Sequence, residues 1–233
     1  QILNNKFGAF HHDDILNKPF GSIWKSRISR GWMYVLAPTP ELWALSLPHR
    51  TQIIYELDAA TIVFNLNLKP GSWVIESGTG SGALSTAIMR VVAPSGFLHT
   101  FEFNEMRARA AAEEFRKNGI AHLARVEHRD VCTTGFGDAL DDAVDAVFLD
   151  LPEPWLAVPY AARALRRNCK LASYSPCIEQ AMRTCKALRE CGFHSIKTIE
   201  TRLKSYDVRE KDLLVPDFGK GGAAGGAAGD AAG

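Results

Sequence analysis

Short apolar runs alternate with longer amphipathic segments from about residue 71 onward. Repeated strand and helix patterns are typical of a parallel sheet whose strands are joined by crossover helices. The apolar runs predict strands at Ser72–Ser77, Phe97–Phe103, Leu123–His128, Val144–Leu149, Lys170–Ser175 and Ser195–Thr201. The amphipathic segments predict helices at about Gly82–Val92, Glu105–Lys117, Trp155–Arg166 and Pro176–Cys191. The predicted fold class is therefore α/β, with a Rossmann-like sheet.

The N-terminal residues follow a different pattern. Trp32–Leu36 is rich in β-prone side chains, and glycines separate the short extended pieces before it, which predicts a small β region. Thr39 followed by proline is a helix start, so a short helix is expected over Glu41–Leu47. Apolar residues at spacings of three and four predict a second helix over about His49–Asn67.

These patterns divide the chain into three parts. Residues 1–48 form the N-terminal β region and short helix, 49–215 the Rossmann-like domain, and 216–233 a tail of mostly glycine and alanine. The tail is expected to be flexible, because it has almost no side chains to bury. The chain begins at Gln1 rather than Met, so we expect its first residues to be missing.

Composition narrows the functional classes. No apolar run approaches the roughly 18 residues of a membrane-spanning helix, so we expect an intracellular, soluble protein with no membrane association. The net charge of +1 is too small for a self-sufficient nucleic-acid binder, although the basic clusters could contribute part of a phosphate-binding surface. The five cysteines form no C-x-x-C pair and have no histidines at metal-ligand spacing, which favours reduced thiols and no metal.

A glycine-rich turn follows the first strand of the predicted sheet. Gly78, Gly80 and Gly82 stand between an apolar strand and a helix, where the backbone must turn sharply and approach a ligand closely. The turn therefore predicts a cofactor loop. Its glycines do not name the cofactor, because Gly78, Gly80 and Ala83 also satisfy the dinucleotide fingerprint G-x-G-x-x-G/A.

Acidic residues at successive strand ends distinguish the two cofactor classes. Glu76, two residues before Gly78, favours the positively charged S-adenosylmethionine over the pyrophosphate of a dinucleotide. Glu102 ends the second strand and could bind both ribose hydroxyls. Asp130 follows the third strand and could accept a hydrogen bond from an adenine amino group, although a helix cap is an equal alternative.

A stiff acidic loop follows the fourth strand. The segment Asp150-Leu151-Pro152-Glu153-Pro154-Trp155 leaves the carboxyl edge of the sheet, where open α/β sheets bind ligands. Its prolines restrict the backbone, so Asp150 is a candidate catalytic residue beside the cofactor. For Trp155 we favour core packing over substrate stacking, since it also begins a helix.

Several sequence blocks are more particular than the glycine loop. They are Thr39-Pro40-Glu41-Leu42-Trp43, Leu47-Pro48-His49-Arg50-Thr51-Gln52-Ile53, Glu76-Ser77-Gly78-Thr79-Gly80-Ser81-Gly82, Phe148-Leu149-Asp150-Leu151-Pro152-Glu153-Pro154-Trp155 and Ser175-Pro176-Cys177-Ile178-Glu179-Gln180. Together they resemble the catalytic subunits of eukaryotic tRNA (adenine(58)-N(1))-methyltransferase. The truncated β region and the Gly/Ala tail depart from that family's pattern.

The resemblance implies an S-adenosylmethionine-dependent enzyme that methylates N1 of adenosine 58 in the tRNA T-loop. It also implies a heterotetramer with a related noncatalytic companion subunit, and residence in the nucleus. Asp150 is the implied catalytic residue. The implied cofactor-binding residues are Gln52, Glu76, Ser77, Gly78, Thr79, Gly80, Ser81, Gly82, Ala83, Leu84, Glu102, Arg107, Asp130 and Val131.

Other functions stay open at this point. The chain could methylate another RNA, a protein or a small molecule. An NAD-dependent oxidoreductase is disfavoured by Glu76 and by the loop that carries Asp150. A noncatalytic tRNA-binding subunit is disfavoured because the glycines and Asp150 are intact.

Overall fold

A computed structural model of the chain describes residues 1–211. The predicted flexible tail, 216–233, lies outside the described residues. The chain divides into two units, Gln1–Thr201 and a second that begins at Arg202. The described part of the second unit, 202–211, contains no helix or strand.

Two antiparallel hairpins form the N-terminal part. β1 (Ile2–Asn5) pairs with β2 (Gly8–His11), and β3 (Ile23–Lys25) pairs with β4 (Trp32–Tyr34). The rings of Phe10 and Trp24 meet edge to face, with 5.5 Å between their centroids. This contact gives a small apolar centre to a region whose other side chains are mostly exposed, and the predicted N-terminal β region is confirmed.

Two helices connect this region to the sheet. α1 (Pro40–Ser46) begins where Leu42 N–H donates to Thr39 Oγ1 at 3.3 Å, as expected of a threonine cap. α2 (Glu56–Leu66) ends at Asn67, which has a left-handed φ of 57°. The prediction that this helix begins at His49 was wrong, because residues 49–55 form a non-helical strap that hydrogen-bonds to Ser81.

Five parallel strands form the central sheet. They are β5 (Trp73–Ser77), β6 (Phe97–Glu102), β7 (Ala124–His128), β8 (Val144–Leu149) and β9 (Leu165–Ser173), in the spatial order β7-β6-β5-β8-β9. The connecting helices are α3 (Ala83–Val92), α4 (Glu105–Lys117), α5 (Val131–Thr134), α6 (Pro154–Ala164) and α7 (Ile178–Glu190). The Rossmann-like α/β prediction is confirmed.

Two boundaries near the last strand differ from the predictions. α6 ends at Ala164 rather than Arg166, so β9 begins at Leu165, five residues before the predicted Lys170. The predicted strand Ser195–Thr201 is not formed. Ser195 has a left-handed φ of 57°, which strands do not accommodate, and the Thr201 hydroxyl donates to Asp58 on α2.

The apolar core lies on both faces of the sheet. Val74 and Phe148 contribute to a cluster with side chains of α2 and α3, whereas Ile75 and Val147 pack with α6. Because the central strands are buried on both faces, they are almost continuously apolar. Within residues 1–211, no helix combines the length and apolar character needed to cross a membrane.

The order of the strands defines where a ligand can bind. The chain runs outward from β5 to β7 and then returns to β8 on the other side of β5. The crevice at the carboxyl ends of β5 and β8 is therefore the topological switch point. Ser77 on β5 lies opposite Leu149 on β8, so Gly78 and Asp150 leave the sheet side by side.

Candidate functional site

A cavity of about 500 Å³ lies at this switch point. Fifteen residues were predicted from the sequence for one site, and all of them line this cavity. They are Gln52, Glu76, Ser77, Gly78, Thr79, Gly80, Ser81, Gly82, Ala83, Leu84, Glu102, Arg107, Asp130, Val131 and Asp150. The structure brings them together, while their individual roles in binding and catalysis stay predictions.

The glycine loop follows the path that its composition predicts. Gly78, Gly80 and Gly82 have φ values of 97°, 53° and 79°, all in the left-handed region. A Cβ on Gly78 would lie 2.2 Å from the carbonyl oxygen of Asp150, and one on Gly80 would lie 2.7 Å from Thr51 Oγ1. Glycine is thus required both by the turn and by the close approach of neighbouring segments.

The strap, residues 49–55, crosses the glycine loop. Ser81 Oγ accepts hydrogen bonds from the backbone N–H groups of Arg50 at 2.8 Å and Thr51 at 3.0 Å. The guanidinium of Arg50 binds Glu114 on α4 and donates to the Gly80 carbonyl at 3.4 Å. These bonds hold the strap in a non-helical conformation against the glycine loop, and the exposed Gln52 lines the cavity.

Glu76 is an almost completely buried acid at the end of β5. Its side chain is 1% exposed, and burial raises its pKa to about 7, although hydrogen bonds from two hydroxyls favour the ionised form. Ser85 Oγ and Thr100 Oγ1 donate to the same oxygen, Oε2, at 2.5 and 2.6 Å. The neighbouring acids Asp150 and Glu102 also contribute to this raised pKa of Glu76. A cation in the cavity would relieve this unfavourable position.

Glu102 at the end of β6 is buried like Glu76, but hydrogen bonds from neighbouring groups fix its carboxylate. Its Oε1 accepts from Asn104 N–H at 2.9 Å and from Arg107 Nε and NH2 at 3.0 and 2.7 Å. Its Oε2 accepts from Gly80 N–H at 2.9 Å. Burial would raise the pKa of this carboxyl, but the bonds from Arg107, Asn104 and Gly80 lower it overall. Glu102 therefore stays ionised and fixed in direction.

Asp130 is a helix cap as well as a cavity residue. Its Oδ1 accepts from Cys132 N–H at 3.0 Å and so begins the short helix α5. Val131, the next residue, is buried and belongs to the cluster that packs against α6. The capping alternative considered from the sequence is thus present, and it leaves Asp130 on the cavity wall.

Asp150 contrasts with the other acids. Its backbone N–H donates to Ser77 O at 2.8 Å, which fixes the start of the loop beside the glycine turn. Within residues 1–211, no hydrogen bond reaches its carboxylate. Burial and, to a smaller extent, the charge of Glu102 raise the pKa of Asp150 to about 6. The group is therefore mostly ionised at pH 7 and able to accept a hydrogen bond from a ligand.

Helix α7 supports the loop that carries Asp150. Gln180 Nε2 donates to the Pro152 carbonyl at 2.9 Å, and the Arg183 guanidinium lies 5.2 Å from the centre of the Trp155 ring. Gln180 and Arg183 are one helical turn apart, so one face of α7 contacts both ends of the loop. Trp155 is half-buried against this face.

Other cavity residues were not predicted from the sequence. They are Thr51, Ile53, Ile54, Phe103, Arg129, Cys132, Phe148, Leu151, Pro152 and Glu153. Most are sequence neighbours of predicted residues. Phe103 could have been included from the sequence, because it directly follows the strand-end acid Glu102. The structure shows that its aromatic side chain is exposed.

A larger cavity, about 610 Å³, lies among α1, α2 and α3. Its lining is mostly apolar, and Lys170 Nζ on its wall donates to the Asn65 carbonyl at 2.9 Å. It contains neither the glycine loop nor the strand-end acids of the sheet. Within residues 1–211, no group of three or more metal-ligating side chains is placed to hold an ion. The smaller cavity is therefore the candidate site.

The glycine loop, the strand order and the acids at the strand ends define the fold and site of a Rossmann-like methyltransferase. Two solved structures support this class. A SAM-dependent O-methyltransferase from Thermotoga maritima has a TM-score of 0.78 and 29% identity, over 89% of this chain and 76% of that chain. The tRNA (m1A58) methyltransferase TrmI from Aquifex aeolicus has a TM-score of 0.67 and 26% identity, over 82% of this chain and 72% of that chain.

Residues 31–224 match the model of a family described as the tRNA methyltransferase complex GCD14 subunit, and the chain belongs to this family. A curated relative, the tRNA (adenine(58)-N(1))-methyltransferase catalytic subunit of Dictyostelium discoideum, is 47% identical over 89% of this chain and 67% of its own length. The corresponding subunit of Schizosaccharomyces pombe is 42% identical over 92% of this chain and 60% of its own length. A Cryptococcus neoformans relative is matched over 48% of its length, so the chain spans about half to two thirds of these proteins.

Proposed function

We propose that this chain is the catalytic subunit of an S-adenosylmethionine-dependent enzyme that methylates N1 of adenosine 58 in the tRNA T-loop. Family membership supports the proposal, because the named relatives are catalytic subunits for this reaction. The observation that carries it is the position of Asp150, which leaves β8 directly beside Gly78 and lines the same cavity as the glycine loop.

The cavity fits the proposed cofactor. The side-chain-free surface at Gly78 and Gly80 lets a ligand approach the backbone, and Glu102 offers an ionised carboxylate for ribose hydroxyls. Glu76 offers negative charge, which suits a sulfonium or ammonium group and opposes a pyrophosphate. When bound, S-adenosylmethionine would supply an electrophilic methyl group. The same acids make a dinucleotide the weaker candidate.

Asp150 would position the target base. N1 of adenine has an in-plane lone pair, so no proton has to be removed from it before it attacks a methyl group. The Asp150 carboxylate can accept a hydrogen bond from the exocyclic amino group and thereby orient N1. It also stabilises the positive charge that develops on the ring. Because burial raises the pKa of Asp150 to about 6, this acceptor is lost as the pH falls below that value.

The substrate and partner proposals follow from the same family. A T-loop adenosine is buried by tertiary pairing, so it has to be extracted before it can reach Asp150. A chain with a net charge of +1 is poorly suited to do this alone. We therefore propose that a related noncatalytic companion completes the tRNA-binding surface in a heterotetramer, and that the complex acts in the nucleus.

The proposal is tested by methyl transfer from labelled S-adenosylmethionine to unmodified tRNA, with and without the companion subunit. We expect incorporation at N1 of adenosine 58 and none into the same tRNA with guanosine at that position. Incorporation into the guanosine control, or only into protein or another RNA, would contradict the proposed substrate. A chain that binds NAD and not S-adenosylmethionine would contradict the proposed cofactor.

A further inference from the structure

Three hydroxyl groups surround the buried acid of the candidate cofactor site. Ser85 lies in the first turn of α3, Thr100 on β6, and Thr79 in the glycine loop. Ser85 and Thr100 are completely buried, and Thr79 is 4% exposed. Neither Ser85 nor Thr100 lines the cavity, so neither is a direct ligand-binding residue. Their shared neighbour is the Glu76 carboxylate.

The hydrogen bonds form one chain with a defined direction. Thr100 Oγ1 donates its single proton to Glu76 Oε2 at 2.6 Å, and Ser85 Oγ donates to the same oxygen at 2.5 Å. Thr79 Oγ1 lies 2.6 Å from Thr100 Oγ1. Since the Thr100 proton is already used, Thr79 is the donor in this contact. The chain of bonds therefore runs from the glycine loop through β6 to the acid.

This arrangement stabilises the charged form of Glu76. A buried carboxylate gains most from donors that bind it when it is ionised. The other titratable groups that act on Glu76 are Asp150 after β8 and Glu102 at the end of β6, and both are acids. Within the described residues, no basic side chain pairs with Glu76, so the hydroxyls are its stabilising partners. Both bind Oε2, which leaves Oε1 for a group in the cavity.

We propose that Ser85 and Thr100 are positioning residues for cofactor binding: they favour the ionised form of Glu76 and direct its carboxylate into the cavity, where it would meet the positive charge of S-adenosylmethionine. Thr79, whose hydroxyl donates to Thr100, connects these hydrogen bonds to the glycine loop. The inference rests on the proposed function for the identity of the cofactor. It adds two residues that act through Glu76 and a reason for the pH dependence of binding.

The expected pH dependence has a definite sign. Burial raises the pKa of Glu76 to about 7, so affinity for S-adenosylmethionine falls as the pH falls through that value. Removing a hydroxyl donor destabilises the ionised form, which raises the pKa further. Thr100→Val, which keeps the shape but not the hydroxyl, is expected to move the binding midpoint upward by about one pH unit. At pH 9 its affinity should approach that of the original chain.

The test is the dissociation constant of S-adenosylmethionine between pH 6 and pH 9, measured by calorimetry on the full chain and its variants. Thr100→Ser should restore the original midpoint, because it restores the hydroxyl. Ser85→Ala should shift the midpoint in the same direction as Thr100→Val. It is a second variant in case the valine disturbs folding, which circular dichroism would reveal.

Thr184→Val is the matched control. Thr184 is also a buried threonine, on helix α7, but its hydroxyl donates to the Gln180 carbonyl at 2.8 Å, away from Glu76. An unshifted midpoint in folded Thr100→Val and Ser85→Ala, or an equal shift in Thr184→Val, would overturn the inference. If the original chain binds no S-adenosylmethionine at any pH, the proposed function itself fails, and that result is distinct from a failure confined to the variants.

Discussion

Glu102 ends one strand of the sheet and Asp150 directly follows another, yet the two carboxylates differ in their hydrogen bonds and in the direction of their pKa shifts. Glu102 accepts four hydrogen bonds from its own chain, and its pKa is lowered. Asp150 accepts none on its carboxylate from the described residues, and its pKa is raised to about 6. A carboxylate that is hydrogen-bonded by its own chain binds a ligand in one fixed orientation. A carboxylate without such bonds can reorient toward a reacting base.

The same contrast extends to the regions around them. The cofactor side, from the strap to α4, is bound together by side chains that reach across 30 or more residues, such as Ser81 to Arg50 and Thr51 and Arg50 to Glu114. The Asp150 side contains two buried polar atoms without a partner in the described chain, Ser173 Oγ and Gln180 Oε1, and the cofactor side contains one, Arg50 Nε. Buried polar groups are normally satisfied, so both sides retain unsatisfied groups and the difference between them lies in how their carboxylates are held.

The largest effect is expected at Asp150. Asp150→Ala should reduce methyl transfer at least about a hundredfold, because it removes the group that orients and stabilises the reacting base. The affinity for S-adenosylmethionine should stay nearly unchanged, as measured by calorimetry. Glu190→Gln, which removes an exposed acid on α7, is the control. Near-normal turnover of Asp150→Ala would contradict the proposed role of Asp150 in orienting the base, and with it the functional difference from Glu102.

The second-largest effect is expected at Gly78, where the cofactor side and the Asp150 loop approach each other closely. Gly78→Ala places a Cβ 2.2 Å from the Asp150 carbonyl oxygen at a φ of 97°, so cofactor affinity should fall about tenfold or more. Gly119→Ala has a similar φ of 73° but meets nothing within 4 Å. The control should therefore lower the unfolding temperature slightly through backbone strain alone. Equal cofactor affinities in the two variants would show that the close approach is unimportant.

A smaller loss of cofactor affinity is expected when Glu102 loses its hydrogen bonds from Arg107. Arg107→Ala removes two hydrogen bonds to Oε1, and cofactor affinity should fall roughly tenfold at pH 7. Arg109→Ala is matched to it, because Arg109 lies on the same helix and, among residues 1–211, pairs only with the exposed Glu105. The comparison is made by measuring the dissociation constant of S-adenosylmethionine for both variants. A loss shared by Arg109→Ala would indicate general damage to α4.

The smallest effect concerns the support of the Asp150 loop. Gln180→Ala removes the donor to the Pro152 carbonyl, and kcat should fall roughly threefold to fivefold while cofactor affinity is preserved. Lys186→Ala, an exposed change on the same helix, is the comparison. A reduced cofactor affinity in Gln180→Ala would mean that α7 supports both regions rather than the substrate side.

Local patterns predicted much of this fold. Val144–Leu149 and Glu105–Lys117 were predicted with the observed bounds, because an apolar run and a capped amphipathic run each specify their own structure. The glycine loop and the acids at the strand ends were also detectable, since parallel strands bring their carboxyl ends to one edge. The sequence therefore predicted which residues would meet.

Long-range contacts explain what the patterns missed. The strap has helical spacing, but Ser81, some 30 positions away, accepts hydrogen bonds from two of its backbone N–H groups and so favours a non-helical conformation. Residues 195–201 alternate like a strand, yet their chain contacts α2 through Thr201 and Asp58. The hydrogen bond from Gln180 to Pro152 likewise joins segments 28 residues apart. Such contacts have no local periodicity from which they could be predicted.

The burial of Glu76 has a consequence for folding stability. Because its pKa rises from the ordinary 4.5 to about 7 in the folded state, the folded chain binds this proton more tightly than the unfolded chain. The resulting stabilisation is complete at acid pH and is lost as the pH rises from about 4.5 to 7, a difference on the order of 3 kcal/mol. A cationic ligand bound beside Glu76 would offset that loss and would therefore stabilise the native fold at neutral pH.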